Sequence, residues 1–271
     1  MARPARSELE RLYAAHHRPE FLWPDPLVFA RGWADPRDGE VAALVAAAFA
    51  YGRVEKILEA LGEIFGHLGD RPREALGRVA PREWQERLGG FAYRFHKGGD
   101  VAVLLHLVAQ ALERWGTLAD LFERSDPGDD LKTALSRFSQ AVLGGDPRPL
   151  LREPRLPPRH PVRHLLASPA TGGAAKRMCL FLRWVVRRDA LDPGYWHGRV
   201  DPARLVVPLD AHVARVGRAL GFTARKSNDW KTAVEITHSL AAYDPADPVR
   251  FDFSLFRFGM GRYGPGSVWN G

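Results

Sequence analysis

With 271 residues, 45% of them hydrophobic, the chain can build one large domain or two lobes around a real core, and no run of 18 apolar residues reads as a membrane span. Its one cysteine, Cys179, excludes an internal disulfide and any zinc or iron–sulfur site that needs several thiolates. The net charge of +7 points to a polyanionic partner, and the opening MARPARSELERLY lacks the apolar stretch of a signal peptide, so a cytoplasmic protein is expected.

Apolar residues recur at helical spacing almost throughout, with little sustained alternation and no Asn-Gly hairpin turn, so the expected fold class is all-α. After a proline-broken entry, a long apolar helix is predicted over residues 40–69, with Gly52 a candidate point of interruption. Further helices are predicted at 81–88, 100–115, 118–124 and 131–143, separated by Pro, Gly and Asp clusters such as RSDPGDD. The stretch GGDPRPLLREPRLPPRHP is the best internal boundary, a linker or a DNA-facing loop. Beyond it come a helix over 174–188, a Gly/Pro/Trp loop LDPGYWHGRVDP, a helix opened by Asp210, a helix over 230–241 and a last one over 248–259.

The basic charge is concentrated. Residues 151–227 hold 15 Lys or Arg against 5 Asp or Glu, a net of +10, so the rest of the chain carries −3. A solvated face explains any one charge run, but this concentration favours nucleic acid over a generic surface.

Within that segment lies LVVPLDAHVARVGRALGF. Asp210 ends an apolar run and precedes Val213, Val216, Gly217 and Leu220 on one helical face, so it reads as an N-cap that accepts backbone N–H bonds at the positive end of a helix. Upstream, TGGAAKRMCLFLRWVVRR places Lys176 after a glycine-containing turn. The chain has 33 Arg but only 6 Lys. Chemistry that needs a neutral amine cannot use arginine, whereas a lysine can lose its proton and form a Schiff base. Taken singly, Lys176 also reads as an ordinary surface or phosphate-contacting lysine.

Taken together, KRMCLFLRW and VPLDAHVARV resemble the helix-hairpin-helix DNA glycosylase superfamily. The run of Lys176, Phe181, Leu182 and Arg183 is similar to the 8-oxoguanine DNA glycosylase/AP lyases of archaea and bacteria, and LDAHVARVGRALGF to the aspartate motif of endonuclease III. GGFAYRFHKGGDVAVLLHLVAQAL is similar to the family's Tyr-Arg turn before a helix, and FDFSLFRFGMGRYG to the segment ending Gly-Arg-Tyr. The chain also resembles an uncharacterised bacterial family with the same lysine, Pro-Leu-Asp-x-His and Asp-Phe arrangement. Three features depart from the superfamily: SPATGGAAK is not a clean Leu-Pro-Gly-x-Gly hairpin, the gap of 34 residues from Lys176 to Asp210 is longer than in endonuclease III, and no cysteines follow Gly-Arg-Tyr.

The resemblance implies a two-lobed helix-hairpin-helix glycosylase-like fold without an iron–sulfur cluster. Residues 50–207 would form the central helical domain, and 1–49 with 208–271 the second lobe. It implies base-excision repair by a glycosylase with AP lyase activity, removing an oxidised base, 8-oxoguanine foremost. Lys176 would attack the sugar and Asp210 assist; the reaction calls for no cofactor and no metal. Gly172, Gly173, Phe181, Arg183, Trp184, Trp196 and His212 are the candidates for DNA and base contacts, with Tyr195 and Trp269 as further stackers. Trp196, in its Gly-rich loop, is the aromatic expected to be exposed. The implied partner is double-stranded DNA containing a damaged base, met by a monomer at the nucleoid, with no membrane. The competing reading is a non-catalytic DNA- or RNA-binding protein on the same scaffold. A metal-dependent hydrolase using His160, His164, Asp210 and His212 is a distant third, since no His-Glu-x-x-His or carboxylate cluster supports it.

Overall fold

The computed structural model describes residues 3–260. They divide into two compact units, one formed by residues 3–23 with 171–260 and the other by Pro24–Ala170. These limits differ from the expected lobes because the helix that carries Lys176 pairs through Arg183 and Arg187 with Asp252 and Asp247, near the C-terminal end of the described chain.

In chain order the helices are α1 (Arg6–His16), α2 (Leu27–Ala30), α3 (Pro36–Phe49), α4 (Val54–Leu68), α5 (Pro72–Arg78) and α6 (Pro81–Arg87). A two-stranded antiparallel ladder follows, β1 (Ala92–Tyr93) and β2 (His96–Lys97). Then come α7 (Gly98–Trp115), α8 (Leu118–Ser125), α9 (Leu131–Leu143), α10 (Val162–Leu165), α11 (Lys176–Val186), α12 (Ala211–Ala219), α13 (Trp230–Ala241) and α14 (Asp252–Gly259). The protein is mostly helical, as the periodicity predicts, and no described helix is long and apolar enough to cross a membrane.

In the unit spanning Pro24–Ala170, α3 and α7 supply the core. Asp35 caps α3 by accepting the Arg37 N–H, Pro36 fits the first turn, and every residue from Gly39 to Phe49 is buried. The helix predicted over 40–69 is two helices. Gly52 sits at φ +102°, and a Cβ there would come 2.8 Å from the Tyr93 hydroxyl, which itself donates to the Tyr51 carbonyl. A left-handed residue wedged against a side chain ends α3, and α4 restarts with Ile57, Leu61, Ile64 and Leu68 on its buried face.

Glu40 is 2% exposed and is matched to the end of another helix: its carboxylate accepts the N–H groups of Leu118 (2.8 Å) and Ala119 (3.1 Å) at the start of α8. The charge thus meets the positive end of a helix dipole with two otherwise orphaned donors. Glu40→Ala is expected to destabilise the fold by about 3 kcal/mol, because both donors lose their acceptor inside the core. A urea midpoint unchanged from the parent would contradict that account.

In the other unit α14 packs against α1 and α12, and α13 packs against α12 and the short turn Pro248–Phe251. The loop read as Gly/Pro/Trp-rich folds back on α11: Gly194 N–H donates to the Trp184 carbonyl at 3.0 Å, and Trp196 N–H to that of Val185 at 2.6 Å. Gly194 lies at φ +66°, with room for no Cβ; one placed there would stand 2.5 Å from the Arg188 Cβ.

Candidate functional site: a lysine and an aspartate at two helix starts

Two helix N-termini of one unit meet at a lysine and an aspartate 34 positions apart in sequence. Asp210 is the N-cap of α12; its Oδ1 accepts the N–H groups of His212 and Val213, each at 2.9 Å. That leaves Oδ2 for Lys176 Nζ at 3.0 Å. The lysine side chain is 31% exposed and the aspartate 15%, so the pair is sheltered but reachable. Capping therefore positions the carboxylate without using the oxygen that faces the amine. The Lys176 ammonium also stands 5.7 Å from the centroid of Phe256, within range of a cation–π contact.

The turn that delivers Lys176 is strained. Ala175, the residue before α11, is in the left-handed conformation at φ 49°, ψ 36°, and no side chain caps the helix. A non-glycine residue there costs about 1–2 kcal/mol and is held in place by its surroundings. Gly172 supplies a second left-handed residue at φ +89°, and the turn is fastened by a bridge between Gly173 and Asp229. Ala175→Gly is expected to raise stability by about 1 kcal/mol, seen as a higher urea midpoint. A lower midpoint would show that the left-handed alanine is not a source of strain.

Gly172 and Gly173 are exposed on this turn. His212 is also exposed; its Nδ1 lies 3.2 Å from the Gly259 carbonyl and its ring meets Phe256 edge-on, which ties α12 to the end of α14. The aromatic candidates are placed otherwise. Phe181 and Trp184 are fully buried on α11, and Trp196, expected to be exposed, is 2% exposed with its ring edge-on to Phe181. These three are core, because the loop's hydrogen bonds to α11 press Trp196 inward. Tyr195 is half-buried beside it, and Trp269 lies outside the described residues, as do residues 261–263 of the Gly-Arg-Tyr segment.

Arg183 is likewise no surface reader. It is 3% exposed and forks onto Asp192 through Nε (3.1 Å) and Nη2 (3.0 Å), while Nη1 donates to Asp252 Oδ2 at 2.8 Å. Arg187 continues the cluster to Asp192, to Asp189 at 2.7 Å and to Asp247 at 2.9 Å; His17 Nε2 closes it 2.9 Å from Asp189. Burial acts to raise the Asp189 carboxyl, but the His17 hydrogen bond and the Arg187 charge hold it well below the usual range. Two arginines of the strongly basic segment are thus neutralised inside the protein and unavailable to a polyanion.

Asp252 is the group that residue spacing did not single out. It starts α14, is 3% exposed, and has one oxygen, Oδ1, buried without a hydrogen-bond partner. Burial pushes its carboxyl up to about 6 against the pull of Arg183, and the charge of Asp210 adds to the rise, while Lys176 opposes it. The available signal was an aspartate between two phenylalanines in an otherwise apolar run, where a charge needs a partner. Cys179 is buried nearby, and burial pushes its thiol far above the usual range, so it is chemically inert.

The residues of the metal reading fall in both units, His212 beside Asp210 in one of them. His160 and His164 belong to the other unit, with His160 3.9 Å from Asp100 and His164 3.5 Å from the His96 ring nitrogen. Among the described residues no group of three or more His, Cys, Asp or Glu side chains stands together as a metal site.

The fold and site define a mostly helical protein whose sheltered lysine is ion-paired to a helix-capping aspartate. The chain belongs to a family described as proteins of unknown function, DUF2400, whose model matches residues 25–261. No curated protein and no solved structure matches it.

Proposed function

We propose that this protein is a DNA glycosylase with AP lyase activity, of the helix-hairpin-helix kind, acting on double-stranded DNA that carries an oxidised base, 8-oxoguanine foremost. The observation that carries the reading is the 3.0 Å approach of Lys176 Nζ to Asp210 Oδ2, with each residue at the start of its own helix. A nucleophilic amine and a carboxylate held by a helix terminus are what this chemistry needs side by side.

Attack on the sugar requires the amine without its proton. Once its proton has left, the Lys176 nitrogen bonds to the sugar C1′, and the C1′–N bond to the damaged base breaks, with the base leaving as it takes up a proton. Asp210 stabilises the positive charge that develops on the sugar and relays protons. Opening of the sugar ring turns the C1′–N linkage into a Schiff base, which acidifies the C2′ hydrogen. Loss of that proton expels the 3′ phosphate and nicks the strand. Extruding the nucleotide costs a few kcal/mol, offset by contacts in the pocket and to phosphates, for which the exposed Gly172–Gly173 backbone is available. The protein would work as a monomer at the nucleoid.

The test is strand cleavage on duplexes containing 8-oxoguanine, an oxidised pyrimidine, an abasic site or no lesion. Cleavage confined to damaged duplexes, lost in Lys176→Gln while DNA binding is retained, is the expected result. Binding without cleavage by the parent protein on every duplex would replace the enzyme with a non-catalytic nucleic-acid-binding protein.

A further inference from the structure

The hairpin of β1 and β2 turns at Arg94 and Phe95, and both residues break local rules. Arg94 is left-handed at φ 54°, a conformation that costs a residue with a Cβ energy glycine would avoid. Phe95 is 53% exposed, one of two large apolar side chains left in water among the described residues. The hairpin has a buried side to offer: the register pair Tyr93 and His96 is sunk into the unit, while the other pair, Ala92 and Lys97, faces outward. The strained turn nevertheless leaves an aromatic ring outside.

That ring is firmly backed. Its centroid lies 4.4 Å from that of His96 and 4.9 Å from that of His164, and the Tyr51 ring meets His164 edge-on at 4.9 Å. His96 is fully buried and the Tyr93 hydroxyl donates to the Tyr51 carbonyl, so the support is anchored in the core. The surroundings are basic. The Arg94 guanidinium lies 6.0 Å from the Tyr51 ring centroid, and a Cβ on Gly52 would stand 3.4 Å from the Arg94 side chain, which places the next residue, Arg53, beside the same turn. Arg53, Arg94 and Lys97 are exposed, and among the described residues none of them is in an ion pair. The three segments that meet here, 41–54, 88–99 and 161–169, hold four Lys or Arg and no Asp or Glu.

A supported ring beside unpaired cations suits one ligand chemistry. A nucleobase gains by stacking on an aromatic face whatever its identity, and the phosphates on either side of it gain from the cations. Inside a duplex both faces of a base are covered by its neighbours, so the base that lies on the ring is one outside a helix. An acidic peptide would pair with the cations and leave the ring uncovered. We propose that the tip of this hairpin binds an unpaired base of single-stranded nucleic acid, the base on the Phe95 ring and its phosphates against Arg53, Arg94 and Lys97. The site goes beyond the glycosylase reading and uses neither Lys176 nor Asp210.

The experiment is fluorescence anisotropy of the full chain with a labelled oligothymidylate, alone and annealed to oligoadenylate. The parent is expected to bind the single strand, and Phe95→Ala to weaken that binding about tenfold, the loss of one stacked base, while duplex affinity changes by less than about twofold. Phe95→Trp keeps a flat face and should stay within about twofold of the parent. Replacing Arg94 and Lys97 together by Gln should flatten the slope of log affinity against log salt by about 1.4. Ultraviolet cross-linking of the bound strand should place the thymine adduct on Phe95. An exposed tip residue is a mild substitution, and the urea midpoint of Phe95→Ala checks that the fold is kept. No binding of the single strand by the parent, an unchanged affinity in Phe95→Ala, or an equal loss on strand and duplex would overturn the proposal. Displacement of the strand by polyglutamate at equal charge would assign the surface to an acidic peptide instead, and a parent dimer made monomeric by Phe95→Ala would assign it to a second copy of the chain. The strands carry no lesion, so absence of cleavage on damaged duplexes leaves this proposal standing, and its own failure leaves the glycosylase reading untouched.

Discussion

Asp210→Asn is expected to reduce strand cleavage by about 10²–10⁴-fold while leaving the folded protein close to its parent in stability. The two effects separate because the two oxygens do different things. Oδ1 caps α12 through His212 and Val213, and asparagine's carbonyl oxygen can take over that part; Oδ2 carries the charge that faces Lys176. Asp210→Ala removes both and should lose, beyond the activity, about 1 kcal/mol of stability. Cleavage rates with urea unfolding of the two variants provide the check. If asparagine retained near-parental activity, the carboxylate would be a cap and nothing more.

Arg183→Met carries the largest expected stability effect, a loss of about 3–5 kcal/mol. The guanidinium holds Asp192 and Asp252, both almost wholly buried, and methionine fills much of the volume while leaving both acids facing fewer cations. Arg187 still grips Asp192, so the burden falls on Asp252, which has no other donor among the described residues. That acid can escape by keeping its proton, and the sign follows. Its carboxyl already sits above the unfolded range, and removing Arg183 raises it further, so the variant binds more protons folded than unfolded and its deficit grows as pH rises from 5 to 8. Urea midpoints across that range test this. A deficit under about 1 kcal/mol, or one that shrinks with rising pH, would show that the cluster is not held through Arg183.

The helical class and most helix positions were legible because 3.6-residue apolar spacing is a local property: the helices over 131–143 and 230–241 appear where predicted. The helix break at Gly52 was legible as a candidate but not its cause, since the Tyr93 hydroxyl that excludes a Cβ comes from 41 residues further on. The two-residue strands around Arg94 were too short to show alternation. At the site, the cap role of Asp210 and the helix start at Lys176 followed from spacing, while their pairing at 3.0 Å was expected only from the resemblance. Phe181, Arg183, Trp184 and Trp196, expected as DNA contacts, are all buried. Residue type alone does not tell a surface aromatic or arginine from a buried one. Asp252 showed in the sequence only within the Asp-Phe resemblance, because its setting depends on groups scattered between His17 and Asp252.

The most direct measurement of the central claim is borohydride trapping on a lesion-containing duplex, followed by mass spectrometry of the cross-linked peptide. The account predicts a covalent protein–DNA species whose adduct maps to Lys176, appears only with damaged or abasic duplexes, and is absent from Lys176→Gln. No trapped species on any duplex while DNA binding is intact, or an adduct mapped to another lysine, would contradict it.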